Sequence, residues 1–499
     1  MIIVKSLFAM RDAFCLFIDA KGTHVNISDD QLQIIVQQVV KRIMDGESVT
    51  IPSSASNARG DWGVFDDMSD AIVAAQQAFE QYQRFDIQDR KRFTDTVRHM
   101  TLDYKEEFSR MAVEQTKMGR VAHKIAKHVN VAKHASGVEF LQPQSWSGKN
   151  GLAIEEYAPW GVIGNISPST HPSPTMLENI ITQLSGGNTI VFNPHPVAKR
   201  LNAYVIQRCN QCITKAGGPA NLVTCVAEPT LESAELMFRH PTIALLSVTG
   251  GPAVVEAAMK HQKPVIAAGP GNPPVLVDET ADLALAAKEI TTSASFDNNI
   301  LCIAEKEIFV VESVFNQFMQ EMEKQGNHKL IASQMDQLAN KALELKGKHW
   351  LIGRDYVGRN ANVLSQTLGI RLSEAVPLLF GETDAAHPWV VAEQMTPCIP
   401  VVRVRNFEDG IEKCVKAEHH FEHTASVFTR DMSCATAFTK ALKTDVLVIN
   451  GGTLRGNGGD SGEAYFSHTI ASPTGQGITH PRDFCKRRRI MVAGAMRFV

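Results

Sequence analysis

Within ASFDNNILCIAEK, residues 294–306, one cysteine, Cys302, follows an aspartate, two asparagines and an Ile-Leu step. Most cysteines are small core residues. A thiolate, in contrast, attacks a carbonyl carbon and holds the acyl group covalently, and the local residues alone leave both readings open for Cys302. The chain has nine cysteines (15, 209, 212, 225, 302, 398, 414, 434 and 485), an odd and scattered set. That pattern predicts free thiols in a reducing compartment rather than a disulfide framework.

A second chemistry is suggested by Thr249-Gly250-Gly251, which closes the apolar run TIALLSV and opens the helical pattern PAVVEAAMKH. Two glycines let backbone amides and a helix N-terminus approach a phosphate closely. The run is not G-x-G-x-x-G, and glycine-rich strand-to-helix turns are common for structural reasons alone. Two further runs, VIGNISPSTHPSPTMLENII and NTIVFNPHPVAKR, also pass from a β segment through a Pro-rich turn into a helix. Ligands of open α/β sheets bind where the carboxyl ends of strands gather, so these loops together predict a nucleotide crevice.

Two other clusters carry less. Cys209 and Cys212 form a C-x-x-C inside the helical pattern YVIQRCNQCITKAGG, with no second pair to complete a zinc site. His419, His420 and His423 lack H-E-x-x-H spacing, and packing or loop hydrogen bonding is expected of them. No metal site is assigned.

The elements that must position these residues follow from periodicity. From residue 62 onward, helical patterns such as SDAIVAAQQAFEQYQRF alternate with β-branched runs: WGVIGNISP, NTIVFNPHP, IALLSVTGG, PPVLVDE, EIFVVE and DVLVING. Such alternation predicts an α/β fold with a parallel sheet covered on both faces. Upstream, residues 1–27 form a leader without assignment, its apolar stretch broken by Arg11 and Asp12. Residues 28–46 read as an amphipathic helix capped by Ser28 or Asp29 and stopped at Gly46, with Leu32, Ile35, Val36, Val39, Val40 and Ile43 on one face. Residues 47–61 are a Ser/Pro/Asn/Gly-rich linker. A sticky helix on a linker suits either docking into a partner's groove or folding back on its own domain.

At 499 residues the chain predicts more than one core, and 44% hydrophobic and 21% charged residues with a net charge of -3 describe an ordinary globular protein. Nucleic acid is not an expected partner: the basic run Lys486 to Arg489 adjoins apolar IMVAGAM and lacks aromatic interleaving, which suits a solvated or intersubunit strand edge. No run reaches the 18 or more apolar residues of a membrane span, and no membrane partner is expected.

Taken in order, APWGVIGNISPST, GGNTIVFNPHP, LSVTGG, AAGPGNPPVLVDETADL, SFDNNILCIAEK, AEQMTPCIPVV and ASPTGQGITHPRDFCKRRR resemble the aldehyde dehydrogenase superfamily from about residue 62 to the end. They look most like its CoA-acylating members from bacterial microcompartments, which act on propionaldehyde or acetaldehyde. The resemblance implies a Rossmann-type NAD-binding domain at 62–267, interrupted by a hairpin at about 142–158, and an α/β catalytic domain at 268–450. It further implies a small oligomerisation element, formed by that hairpin and the C-terminal segment 451–499, joining dimers or tetramers.

By the same resemblance Cys302 is the nucleophile. Its attack on an aldehyde makes a tetrahedral centre that can release hydride to a nicotinamide, leaving an acyl thioester. The oxyanion would be held by the Cys302 backbone N–H and a donor from PSTHP. That donor is Thr170, which aligns with the asparagine of hydrolytic relatives, or His171, which stands where microcompartment relatives carry one. Ile166, Ser167, Pro168, Ser169, His195, Thr249, Gly250, Gly251 and Gly269 map onto cofactor-lining loops, and Glu393 in AEQMTPC onto the glutamate that holds the nicotinamide-side ribose. The NPHP loop replaces a lysine-bearing loop of hydrolytic relatives, which leaves NADP open beside NAD.

Ala267 aligns with the glutamate by which hydrolytic relatives activate water. Water, with a pKa of about 15.7, needs such a base, whereas a thiol near about 8.5 is already partly ionised. The expected reaction is therefore aldehyde + NAD + CoA to acyl-CoA + NADH, with propionaldehyde, acetaldehyde or lactaldehyde as substrate. The expected location is cytoplasmic, in a microcompartment lumen, with residues 28–46 resembling a peptide that docks on a shell protein. A hydrolytic dehydrogenase giving a free acid and a non-catalytic nucleotide-binding scaffold are the alternatives.

Overall fold

The β-branched runs singled out above are strands, and in the computed structural model, which describes residues 60–347 and 349–497, they form two all-parallel sheets. The leader at 1–27, the helix expected at 28–46 and the linker as far as residue 59 lie outside the described residues.

After the short strand β1 (Val64–Phe65) come α1 (Met68–Tyr82), α2 (Ile87–Thr116) and α3 (Val121–His134). α1 buries Ala71, Ala75, Ala78 and Tyr82, a stripe at helical spacing. α2 starts on a capping box in which Asp86 accepts from the amides of Gln88 and Asp89 while Asp89 accepts from the Asp86 amide, satisfying donors that have no partner within the helix. β2 (Gln144–Gly148) and β3 (Gly151–Pro159) pair antiparallel.

Strands and helices then alternate: β4 (Val162–Ser167), α4 (Pro172–Ser185), β5 (Thr189–Pro194), α5 (Lys199–Lys215), β6 (Val223–Val226), α6 (Leu231–Arg239), β7 (Ile243–Thr249), α7 (Pro252–Met259) and β8 (Val265–Ala268). The sheet order is β1-β6-β5-β4-β7-β8, so β4 is bonded to both β5 and β7 and their carboxyl ends lie side by side. α4, buried along its whole length, is keyed to the sheet by reciprocal amide bonds of 2.9 Å between Asn165 and Gln183. Among the described residues no cation lies beside its Glu178; burial pushes the carboxyl up to about 8, and Thr469 donates to it at 3.2 Å.

The second sheet begins with β9 (Pro274–Val277), α8 (Leu283–Ser295), β10 (Glu307–Val311) and β11 (His328–Leu330). A small antiparallel pair, β12 (Leu343–Lys346) and β13 (His349–Ile352), precedes β14 (Leu379–Thr383), β15 (Cys398–Val404), β16 (Thr424–Phe428) and β17 (Val446–Ile449). Its order is β11-β14-β15-β10-β9-β16-β17. Val275, Val277, Ile308 and Val310 enter one core while Leu276, Phe309 and Val311 enter another on the opposite face. This period-2 division of apolar residues is what a sheet buried on both sides requires.

Past β18 (Ile470–Ala471) and β19 (Gly477–Ile478), the last strand β20 (Cys485–Ala493) lies antiparallel along β3 in the order β2-β3-β20. The basic run is the exposed start of this strand, with Arg488 and Arg489 paired to Glu156 and Glu155. Among the described residues no helix is long and apolar enough to cross a membrane.

Candidate active site

The residues before Cys302 explain their own identity. Asp297, Asn298 and Asn299 all have positive φ, at 50°, 57° and 65°, between the end of α8 and Cys302. Three consecutive left-handed residues are costly for most side chains and least so for Asp and Asn, whose short polar groups bond locally. Here those groups are used. Asn298 donates to the Gly358 carbonyl at 2.8 Å and to Asn360 Oδ1 at 2.7 Å, and accepts from Arg120 Nε at 2.8 Å. Asn299 donates to the carbonyls of Ala294 and Glu305, both at 2.9 Å.

The loop is gathered on a buried cation. Lys306 Nζ donates to Asn299 Oδ1 at 2.7 Å and to the carbonyls of Asn299, Leu301 and Ala304 at 3.2, 2.9 and 3.1 Å. With its carbonyls drawn to Lys306, the loop offers the amides of Cys302 and Ile303 to the Cys302 thiol, which they make more acidic. Burial acts the other way and is the larger effect; together with the Glu393 carboxylate it pushes the thiol up to about 11. Cys302 is half-buried, and a Cβ on Gly271 would lie 2.6 Å from the Cys302 carbonyl oxygen, so only glycine lets the chain leaving β8 pass this close.

A charged cluster backs the turn. Asp297 receives Lys127 Nζ at 2.5 Å and Lys124 Nζ at 3.1 Å, with the Arg120 amide at 2.8 Å. Burial works to raise its pKa, but the two lysines outweigh it and hold the carboxyl down to about 2. Lys127 is itself lowered to about 8 by burial, against the pull of Asp297. Its Nζ is also 2.8 Å from His171 Nδ1. An ammonium only donates, so Nδ1 accepts and the His171 proton sits on Nε2. Burial keeps His171 neutral, well below its ordinary pKa, and its ring stacks on His468 with centroids 5.3 Å apart. The neighbouring Thr170 carbonyl accepts from Lys124 at 3.3 Å.

Beside this cluster is a cavity of about 100 Å³ walled by Lys127, Phe296, Leu301, Leu454, Phe466 and His468, among others. Cys302, like Phe296 and Leu454, packs on an apolar cluster that includes Leu301 and Ile303.

The residues expected to line a cofactor fall at the carboxyl edge of the first sheet. Ile166 and Ser167 end β4, Pro168 to Thr170 follow, and His171 precedes α4. His195 follows β5, its Nδ1 accepting from the Val197 amide at 3.2 Å. Thr249 ends β7, and Gly250 and Gly251 lead into α7, whose first turn has no side-chain cap. Gly269 follows β8. The Thr249 hydroxyl is buried without a partner, and a Cβ on Gly251 would meet nothing within 4 Å. An orphaned donor beside open backbone at a strand-to-helix turn is a fitting cradle for a dinucleotide. Glu393 Oε1 accepts from the Gly271 amide at 3.4 Å, and burial pushes its carboxyl up to about 7.

Ala267 ends in a methyl, its amide bonded to Thr474 Oγ1 at 3.0 Å. Cys209 is buried on α5, and the Cys212 thiol donates to the Cys209 carbonyl at 3.2 Å. His419 bonds the Val391 carbonyl, 28 residues away along the chain, at 2.8 Å, and His423 bonds its neighbour Thr424 Oγ1 at 2.8 Å. Lys124, Lys127, Lys306 and His468 were not singled out by their sequence. Lysines on a helical pattern read as solvated; the Asp-Asn-Asn run before Cys302, of residue types that tolerate left-handed backbone, is a signal that could have pointed to a held loop.

Residues 63–460 match the model of the aldehyde dehydrogenase family. The chain is 42% identical to the acetylating acetaldehyde dehydrogenase EutE of Escherichia coli K12, over 93% of this chain and 99% of that one. A propionaldehyde dehydrogenase from the fucose-utilisation microcompartment of Clostridium phytofermentans superposes with a TM-score of 0.85 at 40% identity, over 88% of this chain and all (100%) of that one. A Rhodopseudomonas palustris propionaldehyde dehydrogenase, solved with CoA and an acylated cysteine, does so with a TM-score of 0.86 at 37% identity, over 88% and 100%.

Proposed function

The chain belongs to the aldehyde dehydrogenase family, and from that premise we propose that it oxidises a short-chain aldehyde and transfers the acyl group to coenzyme A. The observation that carries this reading is Cys302: a half-buried thiol supplied with two backbone amides and packed against an apolar cluster that includes Leu301 and Ile303. The acylated cysteine and CoA of the Rhodopseudomonas palustris relative support the same chemistry.

In this reading the Cys302 thiolate adds to the aldehyde carbon, forming a C–S bond as the carbonyl π pair moves to oxygen. The resulting oxyanion is met by the Cys302 amide and by a donor from Thr170 or His171. The Nε2–H that Lys127 imposes on His171 favours the histidine. Bound NAD supplies the hydride acceptor, and Thr249, Gly250, Gly251, the loops at Ile166–Ser169, His195 and Gly269, and Glu393 are the residues that would hold it. As the oxyanion collapses the carbon loses hydride and becomes a Cys302 thioester. The CoA thiolate then adds to that carbon and the Cys302 thiolate leaves. The balance is aldehyde + NAD+ + CoA-SH to acyl-CoA + NADH + H+.

Ala267 supplies no base for water at the carbon, so deacylation falls to the more acidic thiol. Glu393 acts in a second way: while its carboxylate is free, its charge opposes thiolate formation at Cys302. The outer edge of β20, which pairs with no further strand among the described residues, suits strand addition by another copy of the chain, giving a dimer or tetramer. Residues 28–46 would dock on a microcompartment shell protein, and their deletion is expected to abolish copurification with shell proteins.

The test is NADH release from propionaldehyde and NAD with and without CoA. Sustained release only with CoA, together with propionyl-CoA as product, is expected; full release without any thiol would establish the hydrolytic alternative.

A further inference from the structure

The charges behind the Asp297 turn do not balance. Lys124 and Lys127 both place their ammonium groups on one carboxylate, Asp297, at 3.1 and 2.5 Å, with all three side chains at most 2% exposed. Among the described residues no second carboxylate pairs with either lysine. One positive charge is therefore left over in the interior, where an uncompensated ion is costly. A surplus of this kind suits a site at which negative charge develops during a reaction.

Lys127 is the member turned towards the reacting groups. Its Nζ is 2.8 Å from His171 Nδ1 and 6.0 Å from the centre of the Phe296 ring. A negative charge on Cys302 stabilises the Lys127 ammonium. Lys306, which gathers the carbonyls of Leu301 and Ala304 on either side of Cys302, acts on both the thiol and His171. His171 thus lies in the field of the same charges as Cys302. With Nδ1 accepting from Lys127, the ring proton is on Nε2. Among the described residues that N–H has no acceptor, and it is not one of the enclosed, unpartnered atoms, as Nε2 of His468 and of His423 are. Stacking on His468 at 5.3 Å holds the plane of the ring. Lys124, in contrast, spends its other bond on the Thr170 carbonyl.

Resting on the aldehyde oxidation argued above, we propose that Lys127 is a positioning residue for that reaction: it fixes His171 with Nε2–H presented to the oxyanion, and its ammonium behind the ring is the charge that the oxyanion balances. Asp297 anchors Lys127 in that place. No proton moves in this step. The imidazole keeps its Nε2–H and Lys127 its ammonium protons while the oxyanion forms and then collapses with loss of hydride. A donor backed by a cation binds an anion more strongly than a neutral one does, and the groups are in position before the charge appears.

The experiment follows the first-turnover rate of NADH release from propionaldehyde and NAD, without CoA, in the full chain. Lys127→Met should lower this rate by about tenfold or more, as weakening an oxyanion donor does. In the His171→Asn background the same substitution should cost about twofold or less, since an amide N–H donates whatever stands behind it. The Asp297 pair is lost in both backgrounds, so an equal cost in both, or no cost in the wild type, overturns the proposal. If Lys127→Met fails to fold, the pH dependence decides. Lys127 faces Lys124, His123 and His128 on its own helix, and Asp297, Cys302, His171 and His468 from the elements around it. Burial holds the four histidines below their ordinary pKa, Asp297 stays at about 2 and Cys302 at about 11. Lys127 loses its charge as pH rises through about 8. The wild-type rate divided by that of His171→Asn, in which Cys302 ionisation cancels, should therefore fall through about pH 8; a flat ratio overturns the proposal. A wild type that releases no NADH would refute the aldehyde oxidation and this proposal with it. Full release without any thiol would fault acyl transfer alone and leave these comparisons to judge Lys127.

Discussion

At the level of single residues, the account turns on a thiol whose acidity is set by its neighbours. Burial first, then the Glu393 carboxylate, push Cys302 up to about 11, while Lys306 and two amides pull it down. Removing the negative charge must therefore lower the thiol pKa. In Glu393→Gln, the pH midpoint for iodoacetamide labelling of the Cys302 peptide, followed by mass spectrometry, is expected to fall below that of the wild type. An unchanged or higher midpoint would show that Glu393 does not act on this sulfur. Cys302→Ser is expected to reduce turnover by about a thousandfold or more while leaving the thermal midpoint near that of the wild type, because a hydroxyl is a far weaker nucleophile at neutral pH.

At the level of elements, the turn from Asp297 to Asn299 makes a backbone argument testable. Asn298→Gly and Asn298→Ala both lose the bonds to Gly358, Asn360 and Arg120, but only alanine is strained at φ 57°. The alanine variant should be less stable than the glycine variant by about 1 kcal/mol, measured by denaturant melts. α4 gives a pH-dependent case. Glu178 has a folded pKa of about 8 against an ordinary 4.5, so its favourable protonated burial is complete at low pH and is lost as pH rises through about 8. Glu178→Gln, neutral throughout, should gain stability relative to the wild type between about pH 5 and pH 8; a constant difference across that range would contradict the buried acid.

Much of this level was legible in the chain. The six β-branched runs became β4, β5, β7, β9, β10 and β17 because strands buried on both faces are continuous apolar segments. The glycines and prolines marked where loops meet the carboxyl edge. Lys127 and Lys306 were not legible: what makes them special is a carboxylate and a set of carbonyls brought close by folding, and neither leaves a periodic signature. His468 escaped for the same reason, since its stacking on His171 exists only once both rings are placed.

At the level of the whole molecule, one sheet gathers three strand-to-helix loops at its edge and the loop between α8 and β10 of the other carries the thiol. This division lets the same carbon be reached first by a hydride acceptor and then by a second thiol. It is an arrangement for an acyl group that waits on the protein. The waiting group is the central claim, and peptide mass spectrometry after mixing the enzyme with propionaldehyde and NAD, without CoA, tests it most directly. The account predicts a propionyl group on the peptide containing Cys302, formed along with a burst of NADH and removed on adding CoA as propionyl-CoA appears. NADH release with that peptide unmodified, or an acyl group that CoA does not discharge, would contradict it.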